Sequence, residues 1–260
     1  MANDNEMLTF GGHLEVLRKM FFRILGVTGV IAFFVFCFKN TTFTLLLAPS
    51  EYDFCTYRWI ENLIQIMGIN FHFEPYHVDL IATDLSSQFM THITTSCYLG
   101  LLGASPFIMY ELFKFVSPAL YENERKYSVS VVSAIYTLFI IGVLMSYFIL
   151  FPISFRFLGT YSVSERVHST ITLDSYIETF ATITLVMGMV FQLPIIAFVL
   201  SKMRFIDSEM LSKYRKHALL IITIVAAIIT PPDLMTLILV TIPLYLLYEV
   251  SIRIVKWVET

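Results

Sequence analysis

The sequence has few charged residues, only three cysteines, and none of the short motifs that mark common enzyme families. Asp, Glu, Lys and Arg make up 14% of the 260 residues, whereas a soluble domain averages about 25%. The cysteines form no CxxC pair, so they indicate neither a disulfide framework nor a zinc site. A P-loop, a nucleophile elbow and a dinucleotide fingerprint are all absent. We therefore expect a protein that is not an enzyme and uses neither a cofactor nor a nucleic-acid partner.

Long apolar runs dominate what the sequence does contain. Hydrophobic residues make up 57% of the chain, and the mean hydropathy is +0.75. Polar segments separate six runs, at about 20–38, 88–115, 127–151, 177–201, 217–230 and 234–250. About 20 apolar residues are enough to cross a bilayer as a helix. The sequence therefore predicts an all-α polytopic membrane protein with six transmembrane helices, in one domain of residues 1–260.

The first run is predicted to be a retained span and not a cleaved signal peptide. Basic residues precede it, as in a signal, but it ends at Lys39 without a small-x-small cleavage site. The preceding stretch HLEVLRKMFFRIL has leucines with basic residues behind them. It predicts an amphipathic helix that lies at the interface and runs into the first span.

The basic residues predict the orientation in the membrane. Only four of the 17 lysines and arginines fall in segments on the side opposite to the N-terminus: Lys39, Arg58, Arg156 and Arg166. Cytoplasmic loops carry an excess of Lys and Arg. Both termini are therefore predicted to be cytoplasmic.

Proline and capping residues predict where several helices begin and end. The third run is predicted to stop at Pro152, because proline breaks an α-helix. Asp174 is predicted to cap the fourth helix, and residues 251–260 to form a short tail after the sixth. Residues 59–67 have apolar positions at helical spacing, which predicts a short surface helix.

The last two apolar runs are short. The fifth corresponds to about 13 residues, or roughly 20 Å of helix, against a bilayer core of about 30 Å. Pro231, Pro232 and Asp233 form a hard turn between these runs, and Asp233 is well placed to cap the sixth helix. We expect a locally thinned bilayer at this hairpin, unless residues 214–217 extend the fifth helix by snorkelling.

Three of the polar side chains inside the apolar runs or near their ends are candidates for specific contacts. Gln192, in the middle of the fourth run, has two interpretations: a hydrogen bond between helices of the fold, or a polar contact for the span of another protein. Glu111 and Glu249 stand near the ends of the second and sixth runs. Each is predicted to reach the interface or to pair with a nearby Lys or Arg.

Four candidate metal ligands lie close together in the first external loop: His72, Glu74, His77 and Asp79. Their spacing matches no recurrent zinc pattern. A solvated loop with incidental polar residues is the preferred interpretation, and no metal site is predicted.

The stretch FKFVSPALYENERK, at residues 113–126, joins the second and third runs. Pro118 cannot continue a helix, so the chain is predicted to turn there. Glu122 and Glu124 stand beside Arg125 and Lys126, and such a density of charge excludes the segment from lipid. The residues alone predict a wet surface loop that offers carboxylates, which either pair locally or bind a basic ligand.

Six motifs occur in order along the chain: HLEVLR at 13–18, IATD at 81–84, SPALYENERK at 117–126, FPISF at 151–155, FQLP at 191–194 and TPPD at 230–233. Together they resemble TatC, the core subunit of the twin-arginine protein translocase, over nearly the whole chain. The resemblance implies a concave, glove-like arrangement of six helices in the bacterial cytoplasmic membrane. It further implies binding of twin-arginine signal peptides at the cytoplasmic face, partners of the TatA/TatB type with single spans, self-association, and transport that uses the proton-motive force.

The resemblance also implies site residues. Glu124 matches the family residue that recognises the twin arginines, and Phe115 and Pro118 match positions of the same loop. A peptide with adjacent arginines needs more than one acceptor, and Glu122 or Glu15 is a candidate for the second. Gln192 matches a polar position that faces the concavity, and Asp233 belongs to the TPPD motif.

The chain departs from the family pattern at two positions. The family motif HLxELR has its glutamate where this chain has Val16, and Glu15 lies about 100° away around the helix. Many family members carry a glutamate where Gln192 stands, and an amide cannot titrate.

Two other functions compete with the receptor function. A small-solute secondary transporter is expected to show repeated halves and intramembrane charge, whereas this chain shows no evident repeat and a neutral Gln192. A purely structural scaffold for other spans is the third possibility, and binding of a twin-arginine precursor separates it from a receptor.

Overall fold

The computed structural model describes residues 10–69, 72–76, 78–116, 128–162, 164 and 170–259. These residues are mainly helical. The helices are α1 (Phe10–Cys37), α2 (Lys39–Leu47), α3 (Cys55–Ile66), α4 (Ser87–Gly103), α5 (Ser105–Val116), α6 (Ser128–Met145), α7 (Phe151–Thr160), α8 (Leu173–Val190), α9 (Leu193–Lys202), α10 (Ser208–Lys213), α11 (Arg215–Ile229) and α12 (Leu234–Glu259). Two short strands, β1 (Leu80–Ile81) and β2 (Ile171–Thr172), pair in parallel with Leu80 opposite Ile171.

Four helical stretches in these ranges are long and apolar enough to cross a membrane: Leu14–Cys37, Val132–Thr160, Leu173–Lys202 and Leu234–Glu259. The prediction of a mainly helical membrane protein is thereby confirmed. The other two predicted spans are helical but short, because α4, α5 and α11 have 17, 12 and 15 residues. The count of six spans stays a prediction.

The helix at the third apolar run does not stop at Pro152, so that prediction is wrong. A π-helical turn, Ser146–Leu150, joins α6 to α7, and Pro152 is an early residue of α7. Proline has no N–H and cannot bond the carbonyl four residues back, which belongs to Phe148. The hydroxyl of Thr56 donates a hydrogen bond to that Phe148 carbonyl instead. The helix continues because a distant residue satisfies the orphaned acceptor.

The start of α8 also differs from its prediction. Thr172 is the N-cap residue, and its Oγ1 accepts a hydrogen bond from the backbone N–H of Ser175 at 3.2 Å. Asp174 lies in the first turn, where a carboxylate is favoured by the helix dipole. It accepts hydrogen bonds from the hydroxyls of Ser87 and Thr91 at the start of α4. Asp174 therefore links two helices, and its predicted capping role is wrong.

The last two helices are longer than their apolar runs. α12 continues to Glu259, so the predicted tail at 251–260 is wrong as far as residue 259. Ser251, Ile252 and Val255 are buried on one face of this extension, which explains why the helix persists. α11 begins at Arg215, two residues before the predicted start at 217.

Contacts divide the chain into two compact units, and the division falls inside α4 and α6. The first unit contains residues up to Phe38 and Ile93–Tyr136. In it α1 and α4 approach closely, since a Cβ added at Gly100 would lie 2.7 Å from the Cβ of Ala32. No side chain larger than hydrogen fits there without a shift of the backbone.

The second unit contains Lys39–His92 and the chain from Thr137 onward. In it α6 and α8 also approach through glycines. A Cβ at Gly142 would lie 2.7 Å from the Met187 carbonyl oxygen, and one at Gly188 would lie 2.6 Å from the Phe139 ring. Interfaces of small residues allow close packing of this kind in membrane helices.

A cluster of aromatic rings surrounds one cation in the second unit. The Arg156 guanidinium of α7 lies 5.1, 4.4 and 4.6 Å from the ring centroids of Tyr57, Phe73 and Tyr76. Its Nη2 donates to the Glu74 carbonyl oxygen at 2.8 Å. Burial raises the pKa of both tyrosine phenols above their ordinary value, which is already well above neutral pH. Arg156 thus attaches residues 73–76 and α3 to α7. The helix α3 confirms the predicted surface helix near 59–67.

Candidate functional site

The predicted binding loop follows α5 directly. Pro118, Glu122 and Glu124 lie outside the described residues, and their roles stay predictions. Phe115 is described: it is the last residue but one of α5, and 36% of its surface is exposed. An aromatic ring is therefore available for contact at the point where this loop begins.

Glu15 lies on an exposed face of α1. Its Oε1 is 2.8 Å from the Nζ of Lys19, one turn later, and both side chains are more than half exposed. Val16, where the family motif has its glutamate, is exposed as well. A surface ion pair between neighbouring turns contributes only about 0.3–0.5 kcal/mol. The Glu15 carboxylate is therefore free to exchange Lys19 for a basic ligand.

Glu111 differs from Glu15 because it is buried. It lies on α5, and its Oε1 is 3.5 Å from Nη1 of Arg23 on α1, within the first unit. Pairing with a nearby basic residue was one of the two predicted outcomes for Glu111, and it is confirmed. The burial was not predicted. No local pattern signals it, because the burial depends on the packing of α5 against α1.

Gln192 stands at the interruption between α8 and α9. Its Nε2 lies 3.5 Å from the Gly188 carbonyl oxygen, one turn back, at the outer limit of a hydrogen bond. The backbone N–H groups of Ile195 and Ile196 both donate to the Gln192 carbonyl at 3.0 Å. Pro194 is the second residue of α9, in the first turn, where the missing N–H of proline is tolerated. A contact of Gln192 with the span of another protein stays a prediction.

Asp233 caps α12 as predicted. Its Oδ1 accepts a hydrogen bond from the backbone N–H of Thr236 at 2.7 Å, which satisfies one of the orphan donors at the helix start. Its Oδ2 is buried and has no hydrogen-bond partner in the described part of the chain. Asp233 therefore fixes the turn between α11 and α12, and any role toward a partner stays a prediction.

The other end of this hairpin is held by an ion pair. Arg215, the first residue of α11, donates from Nε and Nη2 to the two carboxylate oxygens of Glu249 at 2.8 and 3.1 Å. The Tyr245 hydroxyl donates to the same carboxylate at 3.1 Å. The predicted pairing of Glu249 with a basic residue is confirmed. Planar bidentate geometry makes this one of the stronger kinds of ion pair.

The candidate metal ligands give no centre in the described part of the chain. His77 lies outside it, and no group of three or more His, Cys, Asp or Glu residues within it could hold a metal ion.

Comparisons with known proteins agree with this architecture. The family described as Sec-independent protein translocase protein (TatC) matches residues 12–243. The TatC of Blattabacterium sp. subsp. Periplaneta americana is 35% identical over 263 residues, which cover 100% of this chain and 99% of that protein. The TatC of Desulforapulum autotrophicum is 34% identical over 252 residues, which cover 97% and 86%.

A solved structure gives the same result for the fold. The crystal structure of the twin arginine translocase receptor TatC superposes with a TM-score of 0.76 at 29% identity. The match covers 95% of this chain and 100% of that chain. The chain belongs to the TatC family of Sec-independent protein translocase proteins.

Proposed function

We propose that this protein is the signal-peptide receptor and core subunit of a twin-arginine translocase, which exports folded proteins across the bacterial cytoplasmic membrane using the proton-motive force. The observation that carries the proposal is the family match over residues 12–243, which includes the loop with Glu124. The similar solved structure is described as a receptor, which supports the same conclusion.

Recognition of two adjacent arginines follows from the chemistry of the loop. A guanidinium forms two parallel hydrogen bonds with a carboxylate, which an ammonium group cannot reproduce. Glu124 is the proposed primary acceptor, and Phe115 and Pro118 match family positions of the same loop. Glu15 or Glu122 was the second acceptor suggested by the sequence, and the exposure of Glu15 is compatible with that role.

The partners are single-span proteins of the TatA/TatB type, and self-association of this chain is part of the same proposal. Apolar side chains on α11 are largely exposed, among them Leu220, Ile221 and Ile228, and so they face lipid or another span. Gln192 and Asp233 are the polar groups proposed to act near such partners.

Six spans with both termini in the cytoplasm are part of the proposal, and cysteine labelling tests them. With Cys37, Cys55 and Cys97 replaced, a cysteine at Ser212 is expected to react with an impermeant reagent from the cytoplasmic side. A cysteine at Glu74 is expected to react from the opposite side. Both expectations follow from the basic residues, because most of the lysines and arginines fall in segments on the same side as the N-terminus. The reverse labelling of either position contradicts the topology.

Photo-crosslinking tests the function itself. A photoreactive residue in place of Phe115 is expected to crosslink to a twin-arginine precursor, and replacing both arginines of the precursor by lysine is expected to abolish the product. Phe157 on α7 is a matched control, because it has the same 36% exposure and a predicted location at the opposite membrane surface. Equal crosslinking from both positions, or crosslinking that tolerates lysines, overturns the proposed function.

A further inference from the structure

Glu111 is the one Asp or Glu residue that is buried as a whole in the described part of the chain, whereas Asp233 buries one carboxylate oxygen. It lies on α5, five residues before the end of that helix at Val116. A buried carboxylate that loses its cation costs several kcal/mol, because it has given up water without a replacement. As long as Glu111 is ionised, it therefore needs a positive group beside it.

Arg23 is the positive group that the structure places there. Its Nη1 is 3.5 Å from Oε1 of Glu111, and 57% of the Arg23 side chain is exposed. One contact at 3.5 Å falls short of the two parallel hydrogen bonds that a guanidinium forms with a carboxylate at about 2.7–2.9 Å. The pair therefore joins a fixed, buried acceptor to a long, exposed and imperfectly bound cation.

Glu111 lies on α5 close to the point where the predicted binding loop begins. Glu111 and Phe115 are four residues apart, so they share one face of α5. The start of the loop with Glu124 is only about 7.5 Å further along the helix axis. Two neighbouring residues of a peptide have Cα atoms 3.8 Å apart, and each arginine needs an acceptor of its own.

We propose that Glu111 accepts the second guanidinium of a twin-arginine peptide, and that Arg23 is an internal guanidinium that occupies Glu111 until the peptide displaces it. This inference rests on the proposed function. The exchange keeps the buried carboxylate paired throughout, since one guanidinium replaces another. It also makes the contact between α1 and α5 an inhibitory contact that any peptide must break. A lysine is a poorer competitor, because its ammonium group cannot form the bidentate pair.

Binding of four peptides to the purified full-length protein tests the proposal. The peptides carry Arg-Arg, Arg-Lys, Lys-Arg or Lys-Lys at the recognition site. Glu111→Gln is expected to weaken binding of the Arg-Arg peptide by about tenfold or more. It should also remove the preference for arginine over lysine at one of the two positions and leave the other preference intact. Arg23→Gln is expected to tighten binding several-fold, because the internal competitor is gone.

Two further variants guard against misfolding and general charge effects. The double variant Arg23→Gln with Glu111→Gln leaves no buried charge unpaired, and it is expected to show the same loss of selectivity as Glu111→Gln. Arg58→Gln removes the cation of another ion pair, with Asp53, in a segment predicted to face the opposite side, and is expected to leave binding unchanged.

The outcomes separate this inference from the proposed function. If Glu124→Gln weakens binding while Glu111→Gln leaves affinity and selectivity unchanged, the inference is overturned and the receptor function stands. Weaker binding by Arg23→Gln, or loss of one arginine preference in Glu15→Gln instead of Glu111→Gln, also overturns it. If the wild-type protein does not distinguish Arg-Arg from Lys-Lys, the proposed function fails, and the inference fails with it.

Discussion

Replacing Glu124 by alanine is expected to weaken binding of a twin-arginine peptide by about 1.5–3 kcal/mol, the range for hydrogen bonds to charged groups. This corresponds to a loss of roughly 10- to 150-fold in affinity. The change removes the carboxylate that is proposed to accept a peptide guanidinium through two hydrogen bonds, and the guanidinium then has only water or weaker acceptors. Calorimetry or fluorescence anisotropy with a labelled signal peptide measures the change.

Glu122→Ala is the matched control for this prediction. Glu122 is two residues away in the same charged loop, carries the same charge, and is expected to cause a smaller loss. Equal losses for the two variants would indicate a diffuse acidic surface instead of a defined pocket. Equal losses are also expected if both carboxylates merely pair with Arg125 and Lys126, because each substitution then changes only the net charge of the loop.

Lengthening α11 by four apolar residues is expected to abolish export while leaving signal-peptide binding intact. The helix has 15 residues, which corresponds to about 22 Å against a bilayer core of about 30 Å. Its ends are fixed, because Arg215 is bound to Glu249 at one end and Asp233 caps α12 just beyond the other. We expect a short helix with fixed ends to thin the surrounding bilayer and so to lower the barrier to a hydrophilic cargo. Export of a folded reporter and peptide affinity measure the two effects separately.

A four-residue insertion also moves Arg215 away from Glu249, so the prediction needs a control for that loss. Arg215→Gln breaks the same ion pair without changing the length of α11, and it is expected to preserve most export. If Arg215→Gln abolishes export as completely as the insertion, the ion pair and not the helix length is responsible. Normal export by the lengthened protein would mean that residues 214–217 already extend the helix to full length by snorkelling.

Local features that the sequence predicted correctly depend on residues close together in the chain. The apolar runs predicted helices because a backbone in lipid must satisfy its own hydrogen bonds. The cap at Asp233 depends on an N–H only three residues away, at Thr236. The motifs at 117–126 and 230–233 indicated the family without any knowledge of the fold.

Features that the sequence did not predict depend on residues far apart in the chain. Pro152 stays within a helix, and Thr56, which is 92 positions before Phe148, donates a hydrogen bond to the Phe148 carbonyl. Asp174 serves α4 instead of capping α8, because its carboxylate accepts from Ser87 and Thr91. Hydrogen-bond satisfaction is a property of the folded chain, so these helix ends could not be deduced from local propensity.

The residues of the candidate site also fall into those that the sequence predicted and those that depend on the tertiary structure. The sequence by itself predicted a wet surface loop with a turn at Pro118, since carboxylates in a loop beside an apolar run must stay in water. The family motif predicted Glu124 and Phe115 as its binding residues, and these stay predictions. Only the tertiary structure distinguished Glu111 from Glu15. Both are glutamates beside basic residues, but Glu15 pairs along one exposed helix, whereas the packing of α5 against α1 removes Glu111 from water and makes Arg23 its cation. Burial depends on which helices meet, and that information is absent from any single segment of the sequence.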